Sequence, residues 1–139
     1  MLLILQLYKR AWEEQNIDLL KQIFAVDAVY VFRPPALAAP LQGLTEIEEY
    51  WRKGVMSEQE SVRFDILRAV EKGSEIWLEW KAAMVMPMLR PGDDVYPMWG
   101  AMVIDLARDG KIQHLVEYYF WDLAQRERLL QARERLAVK

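Results

Sequence analysis

The sequence predicts a single α+β domain in which helices come first and a meander of long strands follows. Two helical patterns occupy the first 25 positions, and four strand-like segments fill most of the region from 62 to 121. The connectors between most of these segments have hairpin length, which favours antiparallel neighbours. At 139 residues, with 53% hydrophobic side chains, the chain is long enough for one domain with a buried core. We therefore predict one domain over residues 1–139.

The amino-terminal residues predict two helices. Segment 2–15 has apolar residues at helical spacing on one broad face, namely Leu2, Ile4, Leu5, Tyr8, Ala11 and Trp12. Asn16 is expected to end this helix and cap a short second helix that finishes near Ala25.

A strand, a loop and a third helix follow. Residues 28–32 are β-rich, and three prolines then predict an irregular loop as far as Gly43. Thr45 and Glu48 have the spacing of a capping box, which predicts that a helix begins here. The inward side chains expected on this helix are Ile47, Tyr50 and Trp51.

The second half of the chain predicts four antiparallel strands and a final helix. The predicted strands are 62–70, 75–86, 96–107 and 111–121. Segment 122–139 is predicted to be an amphipathic helix with Leu123, Leu130 and Leu136 on its apolar face.

Alternation along the strands predicts which face of the sheet is buried. The second predicted strand has an apolar face of Ile76, Leu78, Trp80, Ala82, Met84 and Met86, and the third has one of Met98, Gly100, Met102, Ile104 and Leu106. Long twisted strands bend, so we expect a cone-shaped, curved antiparallel sheet wrapped over the helices. Trp77 and Trp99 fall on the opposite face, which favours a homodimer formed through the sheet.

Composition excludes several classes of function. A net charge of -3 gives no electrostatic reason to bind nucleic acid, and no apolar run is long enough to span a membrane. The absence of cysteine excludes thiolate catalysis, and the single histidine excludes clustered histidine ligands. Neither a metal nor an organic cofactor is expected, because motifs typical of such sites are missing. We expect a cytoplasmic protein.

The order and spacing of three segments resemble the nuclear transport factor 2-like superfamily, specifically its SnoaL-like branch. The segments are "LLKQIFAVDAVYVFRPP", "LQGLTEIEEYW" and "WGAMVIDLARDGKIQHLVEYYFWD". The resemblance implies the cone-shaped roll, an apolar pocket and commonly a homodimer. It implies less about activity, because the superfamily contains isomerases, dehydratases, cyclases, epoxide hydrolases and non-enzymes.

Within that superfamily, similarity in spacing to ketosteroid isomerase implies three positions for catalytic groups. The tyrosine that binds the oxyanion corresponds to Tyr8. The general base corresponds to Phe32 or, with a shifted gap, Arg33, and the protonated acid corresponds to Met102. Since two of the three groups are lost, steroid isomerisation of that kind is not expected.

The resemblance also directs attention to the last strand. It places one set of alternating residues toward the pocket: Leu115, Glu117 and Tyr119. Glu117 is then the candidate catalytic acid, and Asp122 is the second candidate. One bulge would instead turn His114 and Val116 inward, and a solvated or ion-paired Glu117 is the simpler alternative.

Two hypotheses of function follow. In the first, Glu117 or Asp122 transfers a proton and Tyr8 stabilises an oxyanion on a small hydrophobic, cyclic or polyketide-like substrate. In the second, the domain is a non-catalytic ligand-binding module or dimeric scaffold. The side chains expected to line the pocket are Trp12, Phe32, Arg33, Trp51, Trp80, Met84, Met102, Leu115 and Tyr119.

Overall fold

The computed structural model describes residues 2–35, 37–55, 61–85 and 95–121, together with positions 127, 131 and 134. The helices are α1 (Leu3–Glu13), α2 (Leu20–Ile23) and α3 (Leu44–Tyr50), with a 3-10 turn at Ile17–Leu19 before α2 and a π turn at Trp51–Val55 after α3. The strands are β1 (Phe24–Arg33), β2 (Leu41–Gln42), β3 (Ser61–Lys72), β4 (Glu75–Val85), β5 (Val95–Leu106) and β6 (Ile112–Trp121). The α+β prediction is confirmed, with the predicted elements in the predicted order. The short strand β2 was not predicted.

Helix α1 packs on the sheet through the residues that its spacing predicted. Ile4, Leu5, Tyr8, Ala11 and Trp12 are buried. Leu2 was expected on the same face but is largely exposed, because it precedes the first turn.

Helix α1 is held against β3 by a polar contact to the β3 backbone. Glu13 Oε2 accepts a hydrogen bond from the Phe64 N–H at 3.0 Å, and Lys9 Nζ donates to the Phe64 carbonyl. Lys9 and Glu13 also form an ion pair at 3.0 Å. These contacts fix the rotation of α1, so Tyr8 and Trp12 point into the interior.

The helix starts agree only partly with prediction. Asn16 caps the turn before α2, its side chain accepting a hydrogen bond from the Asp18 N–H at 3.0 Å, as predicted. The capping box is wrong, because it would make Thr45 the N-cap, whereas α3 begins two residues earlier than that requires. Gly43, with a φ of 90°, is the N-cap of α3, and Thr45 lies inside the helix.

The six strands form one mixed sheet in the order β2-β1-β6-β5-β4-β3. The four strands of the meander pair antiparallel, as predicted. The prediction of an entirely antiparallel sheet is wrong for one pair of strands, since β1 and β6 are parallel. No hairpin joins these two strands, and the long connection between them leaves their relative direction to the crossover. Because β6 pairs with β1 on one side and with β5 on the other, it lies in the interior of the sheet.

The predicted inner faces of the sheet are confirmed for the described side chains. Ile76, Leu78, Trp80, Ala82 and Met84 are buried on β4, and Gly100, Met102 and Ile104 are buried on β5. Met98 and Leu106 are half-buried and pack against the same core. Trp77 and Trp99 are exposed on the opposite face, as predicted.

Positions 127, 131 and 134 are helical, in agreement with the predicted final helix. Gln131 donates a hydrogen bond to Glu127 one turn earlier, at 3.3 Å. Met86 and the three leucines predicted for this helix lie outside the described residues. Among the helices described, none has the length and apolar content needed to cross a membrane.

Candidate functional site

Glu117 is a buried acid near the middle of the sheet. Its side chain is only 8% exposed, and it is the one buried charged residue in the described part of the chain. On β6 it pairs with Phe32 of β1 on one side and with Met102 of β5 on the other. The predicted inward orientation is confirmed by the burial of Leu115 and Glu117, while Tyr119 is half-buried.

The alternative orientation of β6 is wrong. His114 is 43% exposed at its side chain, and its Nδ1 lies 3.8 Å from Asp105. The register between β5 and β6 is regular from Met98 to Asp105, so no bulge interrupts the alternation around Glu117. A solvated Glu117 on a strand edge is also wrong, since the residue is buried and β6 is not an edge strand. Among the described residues, no lysine or arginine forms an ion pair with it.

Burial changes the protonation of Glu117. Desolvation raises its pKa to about 7, and an interaction with the Tyr30 hydroxyl opposes part of that rise. A carboxyl group with this pKa can both accept and release a proton near neutral pH. It therefore has the property that general acid–base catalysis requires.

Two buried tyrosines accompany this acid. The hydroxyl oxygens of Tyr8 and Tyr30 are 3.2 Å apart and form a hydrogen bond in which either can donate. Burial, and then the negative charge of Glu117, raise the pKa of both tyrosines well above the ordinary value. Both hydroxyls are therefore neutral at physiological pH, and since one donates its proton to the other, the second keeps a proton that it can donate to another group.

Tyr30 is the residue that sequence reasoning missed. Alternation along β1 was the available signal, because Ala28, Tyr30 and Phe32 are all buried on one face. The residues of this strand that were predicted to line the pocket were Phe32 and Arg33, and Tyr30 was not among them. The structure shows Tyr30 interacting with Glu117 and bonded to Tyr8, so it connects the two predicted catalytic groups.

Four aromatic rings form a continuous layer beside these groups. This aromatic layer consists of Trp51, Trp12, Phe64 and Trp80. Their successive ring centroids are 4.4 Å apart for Trp51 and Trp12, 6.3 Å for Trp12 and Phe64, and 5.5 Å for Phe64 and Trp80. Tyr8 contacts two members, with centroids 6.4 Å from Trp12 and 5.7 Å from Phe64. The layer and the hydroxyl groups thus belong to one assembly.

The three indole groups of the aromatic layer have buried Nε1 atoms without a hydrogen-bond partner among the described residues. Trp12 Nε1 interacts with the Tyr8 hydroxyl and so opposes the rise in the pKa of Tyr8, but it lacks hydrogen-bond geometry. A dry, unpaired N–H costs about 1–3 kcal/mol. Three such donors in one cluster are therefore unusual for a site whose only role is packing.

The remaining predicted residues divide into three groups. Met84, Met102 and Leu115 are buried in the core, and Phe32 contacts Tyr50 with ring centroids 5.1 Å apart. Arg33 is exposed at the end of β1, and its guanidinium donates to the Phe32 carbonyl at 3.4 Å, so the structure does not bring it into this assembly. Asp122 lies outside the described residues.

A groove of about 560 Å³ opens between the start of α1 and strands β3 and β4. Its lining residues are Leu2, Leu5, Ile66, Arg68, Ala69, Glu71 and Ile76. None of them belongs to the predicted site, although Ile66 pairs directly with Trp80 across the sheet. The apolar pocket beside Glu117 remains a prediction. In the part of the chain that is described, no cluster of three or more histidine, aspartate or glutamate side chains could hold a metal ion.

Comparison with family models gave one match. The model described as the SnoaL-like domain matches residues 4–115, which is most of the chain. Comparison with curated protein sequences found no match.

Comparison with solved structures found many similar folds. A protein of ketosteroid isomerase-like fold from Catenulispora acidiphila, in complex with trimethylamine, has a TM-score of 0.69 at 20% identity, covering 87% of this chain and 86% of its own. An LEH-like epoxide hydrolase from M. tuberculosis has a TM-score of 0.68 at 18% identity, covering 97% of this chain and 92% of its own. TerC, co-crystallised with polyporic acid, has a TM-score of 0.70 at 13% identity, covering 92% and 95%. At these identities the likeness establishes the fold.

Proposed function

Because the chain belongs to the SnoaL-like domain family, we propose that it acts on a small hydrophobic, cyclic or polyketide-like molecule by cofactor-free acid–base chemistry. Glu117 is the proton-transfer group. The observation that carries this proposal is one buried carboxyl among the described residues, with a pKa of about 7, beside the Tyr30 hydroxyl. Structural packing alone does not require an ionisable group there, and burying one is unfavourable.

The position of Glu117 compensates for the acids that are lost relative to ketosteroid isomerase. The resemblance places the two lost acids at Met102 and at Phe32 or, with a shifted gap, Arg33. Phe32 and Met102 are the direct neighbours of Glu117 in the ladders on either side. One carboxyl group between two apolar side chains therefore replaces two flanking acids, which favours a mechanism with a single proton shuttle.

The proposed reaction begins with proton abstraction from a carbon beside a carbonyl group. The Glu117 carboxylate accepts that proton, and negative charge develops on the carbonyl oxygen. Tyr8 donates a hydrogen bond to this oxygen, supported by its own bond to Tyr30 at 3.2 Å. Return of the proton to another carbon gives isomerisation. Loss of a β-hydroxyl group as water, protonated by Glu117, gives dehydration. Attack of the enolate on a second carbonyl, with Glu117 protonating the alkoxide that forms, gives aldol-type cyclisation.

The similar structures support a small-molecule site in this fold. One is an epoxide hydrolase, and two hold small organic molecules, trimethylamine and polyporic acid. These ligands differ in chemistry, so substrate class must be argued from this chain's own residues.

Hydrogen–deuterium exchange of a cyclic ketone tests the proposed function. The wild-type protein is expected to accelerate exchange of the α-protons of 2-tetralone in D₂O, followed by proton NMR. Glu117→Gln should slow the catalysed exchange by at least about 100-fold, because the amide cannot accept the proton. The matched control is Glu79→Gln, which alters an exposed glutamate of β4 on the opposite face of the sheet and should leave the rate unchanged. Wild-type exchange rates in Glu117→Gln would contradict the proposal.

The exposed aromatic residues on the outer face favour a second candidate, a non-catalytic ligand-binding or dimeric scaffold module. Trp77 is 55% exposed and Phe120 is 62% exposed on this face. The same experiment separates the two candidates. A protein that binds 2-tetralone, as seen by line broadening, without accelerating exchange is a binding module.

A further inference from the structure

We propose that Trp12, Trp51 and Trp80 determine specificity by donating hydrogen bonds from their indole N–H groups to acceptor oxygens of a flat, conjugated ligand. This inference rests on the proposed small-molecule function and adds the chemical class of the ligand. It is supported by the burial of the three indole groups, by their position in one aromatic layer and by the close packing of Trp80 on Gly100.

The three indole groups are buried and carry unused donors. Trp12, Trp51 and Trp80 are 9%, 0% and 3% exposed. An indole nitrogen can donate a hydrogen bond but cannot accept one. None of their Nε1 atoms makes a hydrogen bond of good geometry with a described residue, although Trp12 Nε1 interacts with the Tyr8 hydroxyl. A ligand that satisfies them must therefore present acceptor atoms.

The three donors lie in one aromatic layer. Trp12 contacts Trp51 at a centroid distance of 4.4 Å, and Phe64 lies between Trp12 and Trp80, nearly parallel to Trp12 at an interplanar angle of 8°. Tyr8 contacts the layer and adds a hydroxyl group bonded to Tyr30. Flat ring surfaces with several donors match a planar ligand that stacks through its ring and is bound through its oxygens.

The backbone is shaped to accommodate Trp80. Gly100 is the direct partner of Trp80 across the β4–β5 ladder. A Cβ atom at Gly100 would overlap the six-membered part of the Trp80 indole, as well as the Tyr118 carbonyl oxygen. The Trp80 ring therefore occupies the space that any other residue at position 100 would fill, which fixes the direction of its N–H.

The indole N–H groups discriminate between two classes of ligand that an aromatic interior can bind. An ammonium ion would be attracted to the ring faces, but it has no acceptor for the indole N–H groups. A ketone, an enolate or a phenol offers a ring for stacking and oxygen atoms for the donors. The indole groups therefore favour an oxygen-bearing ligand over an organic cation.

The test is NMR of the full chain labelled with ¹⁵N, titrated with 2-naphthol, naphthalene and tetramethylammonium. Buried indole N–H resonances are recognised by slow exchange with D₂O. With 2-naphthol they are expected to move downfield, as N–H groups do on forming a hydrogen bond, while the exposed indoles of Trp77 and Trp99 stay in place. Unmoved buried resonances, absence of 2-naphthol binding, or tighter binding of tetramethylammonium would each overturn the proposal.

Variants provide a second measurement. Trp12→Phe, Trp51→Phe and Trp80→Phe each keep an aromatic ring but remove the donor. Each should weaken 2-naphthol binding about fivefold and naphthalene binding less than twofold. Trp99→Phe is the matched control and should change neither affinity. An equal loss for both ligands would show that the indoles act only through packing.

These results separate the inference from the proposed function. Indole-dependent binding of 2-naphthol together with full 2-tetralone exchange in Glu117→Gln would sustain the inference and reject the acid–base function. Loss of exchange in Glu117→Gln together with unchanged 2-naphthol affinity in the three phenylalanine variants would do the reverse.

Discussion

Glu117 differs from the other described carboxylates because it is buried and no described cation offsets its charge. The neutral form is therefore favoured in the folded protein, whereas the unfolded chain exposes the group to water. This difference couples folding to pH. It gives a prediction that depends on the buried acid alone and requires no substrate.

The stability of the wild-type protein should fall as pH rises through the pKa of Glu117. The folded pKa is raised from 4.5 to about 7, so the stabilising contribution is complete below pH 4.5 and is lost by pH 8. This shift corresponds to a change on the order of 3 kcal/mol. Glu117→Gln should lack this component. Urea unfolding at pH 5 and pH 8.5 should show the difference between variant and wild type moving by that amount in favour of the variant.

A constant difference between the two proteins across this range would contradict the buried, unpaired state of Glu117. Glu79→Gln provides the control, since it changes a solvated carboxyl group on the opposite face of the sheet and should leave the pH dependence as it is in the wild type.

The sequence could predict where Glu117 points but not what surrounds it. Alternation, with the family resemblance, was enough to place Leu115 and Glu117 inward. The bond between Tyr8 and Tyr30 could not be predicted, because it joins residues 22 positions apart on different elements. Such a contact depends on how α1 sits on the sheet, which the side chains of Lys9 and Glu13 fix through the backbone of β3.

At the scale of elements, local patterns predicted strand positions well and strand directions only in part. Hairpin connectors fix the antiparallel neighbours of the meander, but nothing local states that β1 runs parallel to β6. The start of α3 was predicted at the wrong residue, because Thr45 was expected to be the N-cap. Gly43 takes that position instead, with a positive φ that glycine adopts readily. The strand direction and the helix start were predicted incorrectly for the same reason. Both depend on contacts with other parts of the chain, which local sequence patterns do not describe.

The pairing of β4 with β5 gives a prediction at Gly100. Gly100→Ala should destabilise the fold by about 3 kcal/mol or more, because the added Cβ overlaps both the Trp80 ring and the backbone oxygen of Tyr118. Urea unfolding would measure this loss. Gly73→Asn is the control, since that turn glycine has a φ of 59° and open space around it, and asparagine tolerates this conformation. We expect the control to cost less than about 1 kcal/mol. Equal effects at the two glycines would contradict the close packing of Trp80 on Gly100.

At the scale of the whole molecule, the outer face of the sheet carries an apolar surface of Val70, Trp77, Trp99, Tyr118 and Phe120, all exposed. The ladders place these residues in two groups along the strands, since Val70 pairs with Trp77, whereas Trp99 pairs with Phe120 and lies opposite Lys81. A face that exposes several large apolar side chains is typical of an interaction site on a soluble protein. We propose that a second copy of the chain covers this face. The interiors of the two subunits, including Glu117, would then face away from the interface.

A charge placed in this surface should separate the subunits. Wild-type protein is expected to sediment as a dimer at micromolar concentration, whereas Trp99→Lys and Phe120→Lys should sediment as monomers, because like charges would meet in a dry interface. Leu3→Lys is the matched control, since Leu3 is 69% exposed on α1, away from this face, and the variant should remain dimeric. Native mass spectrometry of the same samples gives the subunit number independently. A wild-type monomer, or lysine variants that stay dimeric, would contradict the assignment of this face as the interface between two copies of the chain.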